Sequence, residues 1–154
     1  MKNIPNDEGN FIAGFTDGEG SFNVSIKKRL DYKESLKLTA SFNISQKDRV
    51  ILAWIKHILG CGTLRERKDG VVYFEVTNIT SLYSVVIPFF RKFGFRSSNK
   101  KNNFRIFSEI VQMMYKNEHL TKEGFHKILE LREKLNPGIG RKRKYTLQDV
   151  LTSE

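Results

Sequence analysis

The chain of 154 residues holds one cysteine, three prolines and one tryptophan. A lone Cys61 forms no internal disulfide, and no four-ligand Cys/His zinc site can be built around it. No apolar run approaches the roughly 18 residues that span a bilayer. Met1 to Asn10 is polar and lacks the apolar core of a signal peptide. Repeats and long low-complexity linkers are also missing, so one domain is expected over 1–154, with a core from about 8 to 136 and a basic tail over 137–154. Acid is the scarcer charge: 17 Asp and Glu stand against 27 Lys and Arg, a net charge of +10. The charged fraction of 29% is ordinary, so the imbalance is one of sign. Aromatics, by contrast, are plentiful, with twelve Phe and five Tyr in a chain that is 39% hydrophobic. That excludes a disordered basic tail and points to a folded basic domain facing a polyanion, either nucleic acid or an anionic membrane surface. Phe, Tyr, Met, Ile, Asn and Lys, with AT-rich codons, far outnumber Gly, Ala, Arg and Pro. Such a bias is common in mitochondria and chloroplasts, phages and some bacteria, which are the expected settings.

Asn6 and Asp7 are read as caps for a helix starting near Glu8 and ending at Gly18 and Gly20. Two strands follow. Over Ser21–Arg29, Phe22, Val24 and Ile26 alternate with polar residues; over Ser35–Ser45, Leu36, Leu38, Ala40, Phe42 and Ile44 do the same. Residues 47–59 read as a helix with Val50, Ile51, Trp54, Ile55, Ile58 and Leu59 on one side. A second hairpin turns at Lys68-Asp69-Gly70, and a helix from about Thr80 to Phe93 is expected to bend at Pro88. Two more helices cover about 102–117 and 122–135, the latter capped by Thr121 with Gly140 beyond it. The fold class is therefore α+β, an αββαββα order with an antiparallel four-stranded sheet covered by helices and extra C-terminal helices.

One face of that sheet is apolar and needs cover. The other presents Asn23, Ser25, Lys27, Arg29, Lys37, Thr39, Ser41, Asn43, Thr63, Arg65, Arg67, Tyr73, Glu75 and Thr77. No carboxylate occurs on the polar face of the first two strands. Arg and Asn are among the specific readers of base edges. A nine-residue strand covers about 30 Å, roughly nine base pairs of groove. A solvated face is the bland alternative; the missing acids favour nucleic acid. The strands, with no dominant basic amphipathic helix, count against a membrane-surface protein.

The first helix reads Phe11-Ile12-Ala13-Gly14-Phe15-Thr16-Asp17-Gly18-Glu19-Gly20-Ser21-Phe22. Ala13 and Gly14, with Gly18 four residues after the latter, strip bulk from one helix face, so two copies could pack nearly backbone to backbone. Glu19 is an acid at a helix C-terminus, where the dipole disfavours it and a divalent cation would reverse the sign. Phe11, Ile12, Phe15 and Trp54 are expected to be chiefly core. His57, His119 and His126 lack metal-ligand spacing, and Cys61 suits a tight Gly-Cys-Gly turn.

This segment resembles the LAGLIDADG motif of homing endonucleases. The likeness continues through Phe42-Asn43-Ile44-Ser45-Gln46-Lys47-Asp48, the Gly60-Cys61-Gly62 loop, Lys100-Lys101, His119-Leu120-Thr121-Lys122-Glu123-Gly124 and Leu135-Asn136, over roughly residues 10–140. The resemblance implies that Glu19 ligates Mg²⁺, with the Gly18 carbonyl as a further ligand; Mn²⁺ is a possible replacement and Ca²⁺ a non-catalytic one. Gln46 would help position water and metal, and Lys100 would act on the water network or the strained phosphate. A second basic residue is either Lys47 or Arg49, and the spacing does not choose between them. Asp17 matches a structural acid at the helix end. The single motif implies a homodimer that meets through Phe11, Ala13, Gly14, Asp17 and Gly18. It would make a double-strand break with short 3′ overhangs at a long pseudo-palindromic site in double-stranded DNA, with no membrane and no small-molecule substrate. An RNA-binding intron maturase and a catalytically inactive DNA-binding regulator on the same fold are the alternatives. Arg141-Lys142-Arg143-Lys144 either grips phosphates or is a solvated tail.

Overall fold

Strand alternation builds the centre of the molecule. The structure, a computed structural model, describes residues 2–29, 36–137 and 146–152. Strands β1 (Gly20–Lys28), β2 (Leu36–Gln46), β3 (Thr63–Glu66) and β4 (Val72–Val76) form one antiparallel sheet in the order β1-β2-β4-β3. Phe22, Val24 and Ile26, then Leu38, Ala40, Phe42 and Ile44, then Val72, Phe74 and Val76 are all buried on one face. Helices α1 (Asn6–Glu19), α2 (Arg49–Leu59), α3 (Ile79–Ser81), α4 (Ile87–Phe93), α5 (Ser98–Tyr115) and α6 (Lys122–Glu133) account for the rest of the αββαββα order and its C-terminal extension, ending in α7 (Leu147–Thr152).

The abundance of phenylalanine is explained at this layer. Phe22 lies 5.3 Å from Phe42 and 5.0 Å from Phe107, ring centre to ring centre, and meets Phe90 edge-on at 5.9 Å. Each such side chain contributes about 1.5–3 kcal/mol on burial, and a paired ring about 0.5–1.5 kcal/mol more.

Several expected boundaries shift for local reasons. Helix α1 begins at Asn6, so Asn6 and Asp7 lie in its first turn rather than capping it. Its C-terminal Gly20 is extended (φ −88°, ψ 160°), so the helix passes directly into β1 without a left-handed cap. Strand β1 stops at Lys28 and β4 at Val76, which puts Arg29 and Thr77 just past their strand ends. Arg67 likewise follows β3, although its N–H still donates to Val71 O across the turn at 2.8 Å. Ser35 lies outside the described residues, and β2 runs one residue further than expected, to Gln46. Helix α2 starts at Arg49 because Asp48 caps it, accepting from Val50 N at 2.9 Å; this leaves Lys47 outside. Val50 is 77% exposed and Leu52 takes the core position instead. Ahead of Pro88 the helical path widens into a π turn over Leu82–Val86. A proline ring crowds the carbonyl four residues back, and the wider turn relieves that contact in place of the expected kink. Helix α5 starts at Ser98, well before 102, capped by Ser97. Thr121 does cap α6, accepting from Gly124 N at 3.0 Å. Gly140 and the basic run 141–144 fall outside the described residues. The segment expected to be only a basic tail also contains α7, which buries Val150 in the core.

Candidate functional site

The junction of α1 and β1 gathers the residues singled out in sequence. Glu19 is the last residue of α1 and is exposed, and its carboxylate accepts no hydrogen bond from any described residue. Asp17, itself partly exposed, is engaged within the chain: Oδ2 accepts from Arg96 N (2.8 Å) and Ser97 N (3.0 Å), and Oδ1 accepts from the Ser97 hydroxyl at 2.5 Å. Partial burial works against its charge, but the Ser97 hydroxyl, the two N–H groups and the nearby Lys100 hold its carboxyl below the usual range. Ser97 in turn accepts from Lys100 N at 3.3 Å. Lys100, in the first turn of α5, folds back so that its Nζ donates to the carbonyl of Gly20. Half-burial lowers the pKa of this ammonium, with Asp17 partly restoring it. The circuit from Asp17 through Ser97 and Lys100 to Gly20 thus fixes a cation beside Glu19.

Gln46 ends β2, two residues past the Gly20–Ile44 pair, and its Oε1 accepts from Lys47 N at 2.9 Å. Lys47 and Arg49 are both exposed beside it. Among the described residues no three His, Cys, Asp or Glu side chains cluster as a metal site. Among the described residues this junction therefore offers the free Glu19 carboxylate and the orphan carbonyls of a helix end, Gly18 among them. Those are hard oxygen donors of the kind Mg²⁺ takes, and alone they are too few for a whole coordination shell.

The polar face of the sheet resolves into rows. Strand register aligns Ser45, Tyr73 and Arg65; then Ser21, Asn43, Glu75 and Thr63; then Asn23 with Ser41, Ser25 with Thr39, and Lys27 with Lys37. Successive rows stand about 6.7 Å apart, close to two base-pair steps. Glu75, the acid of this face, is paired with Arg65 at 2.9 Å. Arg67 donates to Tyr73 Oη and to Asp69, and its guanidinium lies 5.5 Å from the centre of the Tyr73 ring. Lys27 and Lys37 leave the far end of the face positive, while Glu75 and Asp69 balance the arginines at the near end.

The exposed face of α1 carries Phe11, Gly14 and Gly18, with half-buried Phe15 between them. Phe11 is 52% exposed, not core, and its ring meets Trp54 edge-on at 5.7 Å. A Cβ added at Gly14 or Gly18 would touch nothing within 4 Å, whereas one at Gly9 would strike the Phe93 ring at 2.1 Å. Ala13 turns inward and is 3% exposed, so it does not share that face; Asp17 is committed to the Arg96–Ser97 loop.

A family model described as LAGLIDADG endonuclease matches residues 12–111. The chain belongs to the LAGLIDADG endonuclease family. A protein of Neurospora crassa named probable intron-encoded endonuclease 2 is 38% identical over 145 residues, covering 92% of this chain; the chain spans 32% of that protein's length. The structure of an archaeal intron-encoded homing endonuclease complexed with DNA superposes with a TM-score of 0.83 at 32% identity, covering 95% of this chain and 93% of that one. A second, I-SmaMI bound to an uncleaved DNA target in the presence of calcium ions, gives 0.81 at 26% identity, covering 94% of this chain and 48% of that one.

This LAGLIDADG chain also closes the open edge of β1 with side chains from α5, α6 and the residues just after α6. The carbonyls of Gly20, Phe22 and Val24 accept, in turn, from Lys100 Nζ, Asn136 Nδ2 at 2.7 Å and Arg132 Nε at 2.7 Å. A bare edge invites another strand, and buried carbonyls demand donors, so this ladder answers both. Asn103 and Arg132 had no distinguishing signal in sequence, because their partners Asn136 and Val24 lie 33 and 108 residues away; Ser97 meets Asp17 across 80 residues. Ser21 and Ser45 had one, the strand parity that places them on the polar face.

Proposed function

We propose that this chain is a site-specific DNA endonuclease that works as a homodimer and uses a divalent metal ion. The observation that carries the reading is the free carboxylate of Glu19, held at a rigid helix–strand junction beside the Lys100 ammonium and opening onto a basic, carboxylate-poor sheet face. Family membership supplies the reaction class, hydrolysis of a phosphodiester, in which water attacks phosphorus and the 3′ oxygen leaves.

The sheet rows would lie along the groove, with Lys27 and Lys37 toward the outer end of each half-site and Ser45, Tyr73 and Arg65 toward the centre. Phosphate contacts from these cations would make binding weaken steeply with salt. Lys100, fixed by Gly20 and by the Asp17–Ser97 cap, would set a positive charge against the phosphate whose charge grows during attack. Gln46, its oxygen engaged by Lys47 N, would offer its amide nitrogen to a water or phosphate oxygen. Glu19 and the Gly18 carbonyl would hold Mg²⁺, which when bound supplies charge neutralisation at phosphorus and acidifies bound water. Two copies meeting through Phe11, Gly14 and Gly18 would bring two Glu19 carboxylates together, a repulsive arrangement unless cations lie between them. The pair would then cut both strands of a pseudo-palindromic site and leave short 3′ overhangs.

Glu19→Gln is the direct test. Cleavage in Mg²⁺ should fall to background, while binding to the target, read by gel shift in Ca²⁺, persists. Cleavage that survives the substitution overturns the metal-ligand role. A chain that sediments as a monomer on cleavable DNA overturns the homodimer.

A further inference from the structure

Just past α6, Asn136 adopts a left-handed backbone (φ 50°), which asparagine tolerates better than most residues. Its backbone N–H donates to Asn103 Oδ1 at 3.0 Å. An N–H can only donate, so the Asn103 atom it meets is the oxygen. The other end of that amide, Asn103 Nδ2, then donates to Asn136 Oδ1 at 2.9 Å. Asn136 is thereby left with its Nδ2 facing β1, where it donates to Phe22 O at 2.7 Å and lies 3.5 Å from Asn23 Oδ1. Asn23 Nδ2 donates to Ser21 Oγ at 2.7 Å. Asn103 is only 4% exposed, so the Asn103 and Asn136 amides are oriented from the buried end outward, and the Asn136 amino group 3.5 Å away then favours the oxygen of Asn23 on that side.

We propose that Asn136, anchored by Asn103, is a positioning residue for sequence reading, which locks the Asn23 amide with its oxygen turned back toward the protein and an N–H left to face the DNA. The inference rests on the reading of the sheet's polar face as the DNA-contacting surface. A fixed donor accepts guanine, adenine or thymine, each of which shows an acceptor in the major groove, and rejects cytosine, which shows only its N4 amino group. An unanchored Asn23 amide can turn over and present its oxygen instead, which admits cytosine.

The test is selection of bound sequences from a randomised target library by the full chain. Asn136→Gly is the main variant, since glycine accepts the positive φ without strain. Asn103→Ala, which removes the anchor and keeps Asn136, is the second should the first fail to fold. Asn23→Ala identifies the base position concerned. There, discrimination against cytosine should fall about fivefold or more in either variant, with the other positions unchanged. In an Asn23→Ala background the same variants should change nothing further. Preference retained at that position, or lost evenly at all positions in step with a lower Tm, overturns the proposal and marks the clip as packing alone. Asn23→Ala with an unaltered profile removes the sheet-face reading itself and the proposal with it. The Asn23→Ala result therefore tells the two failures apart.

Discussion

Asp17 illustrates how a residue next to the chemistry can act by holding another in place. Three hydrogen bonds tie it to the cap of α5, and that cap delivers Lys100 to Gly20. Asp17→Asn removes the charge that three donors share and obliges the Ser97 hydroxyl to reverse and accept from the new amide nitrogen, weakening the set. Hydrogen bonds to a charged partner are worth about 1.5–3 kcal/mol when enclosed and less at a partly exposed site, so a stability loss near 1 kcal/mol is expected in denaturant titration. The single-turnover cleavage rate should fall while DNA affinity holds, because Asp17 points at the loop and away from the sheet face. An unchanged rate would mean that Lys100 needs no such cap.

Among the elements, α1 carries the sharpest contrast. Glycine in a helix costs about 1 kcal/mol relative to alanine. Within one chain, Gly9 repays that by making room for Phe93, but Gly14 and Gly18 have open space where a side chain would go. Gly14→Ala should therefore raise the Tm of the isolated chain while weakening self-association in sedimentation and lowering cleavage at limiting protein. A higher Tm with unaltered association would dissociate that face from pairing. The strands and α1 were legible in sequence because a two-sided sheet enforces alternation and because the motif ends in glycine. The start of α5 was not: the serine pair Ser97-Ser98 offers two cap positions and Ser98 and Asn99 are weak helix formers, while the contact that holds Ser97, Asp17, is 80 residues away. The short α7 shows a single buried anchor, Val150, too little for any periodicity to form. Phe11 and Val50 were placed in the core by helical spacing alone, yet spacing marks a face without saying what covers it. Glu19, Gln46 and Lys100 were found through the family pattern, whereas the Asn103–Asn136 clip depends on contacts that no local window contains.

For the whole molecule, the positive charge has a direction. Lys27 and Lys37 stand at the end of the sheet far from Glu19, and Glu75 is neutralised by Arg65 near it. The passage from α1 to β1 without a single connecting residue gives this arrangement a further property. In an assembled pair, the helix packing would set the gap between the two reading strands with no slack to adjust it, so the pair would behave as a ruler. One base pair inserted at the centre of the target moves the half-sites about 3.4 Å apart and turns them by about 34°. Neither change can be absorbed at the helix–strand junction. Cleavage of the lengthened site should be lost even though each half-site keeps its sequence, and efficient cutting of it in a gel assay would show that the ruler bends. Target length would then be a property of the backbone, as fixed as the sequence each half could read.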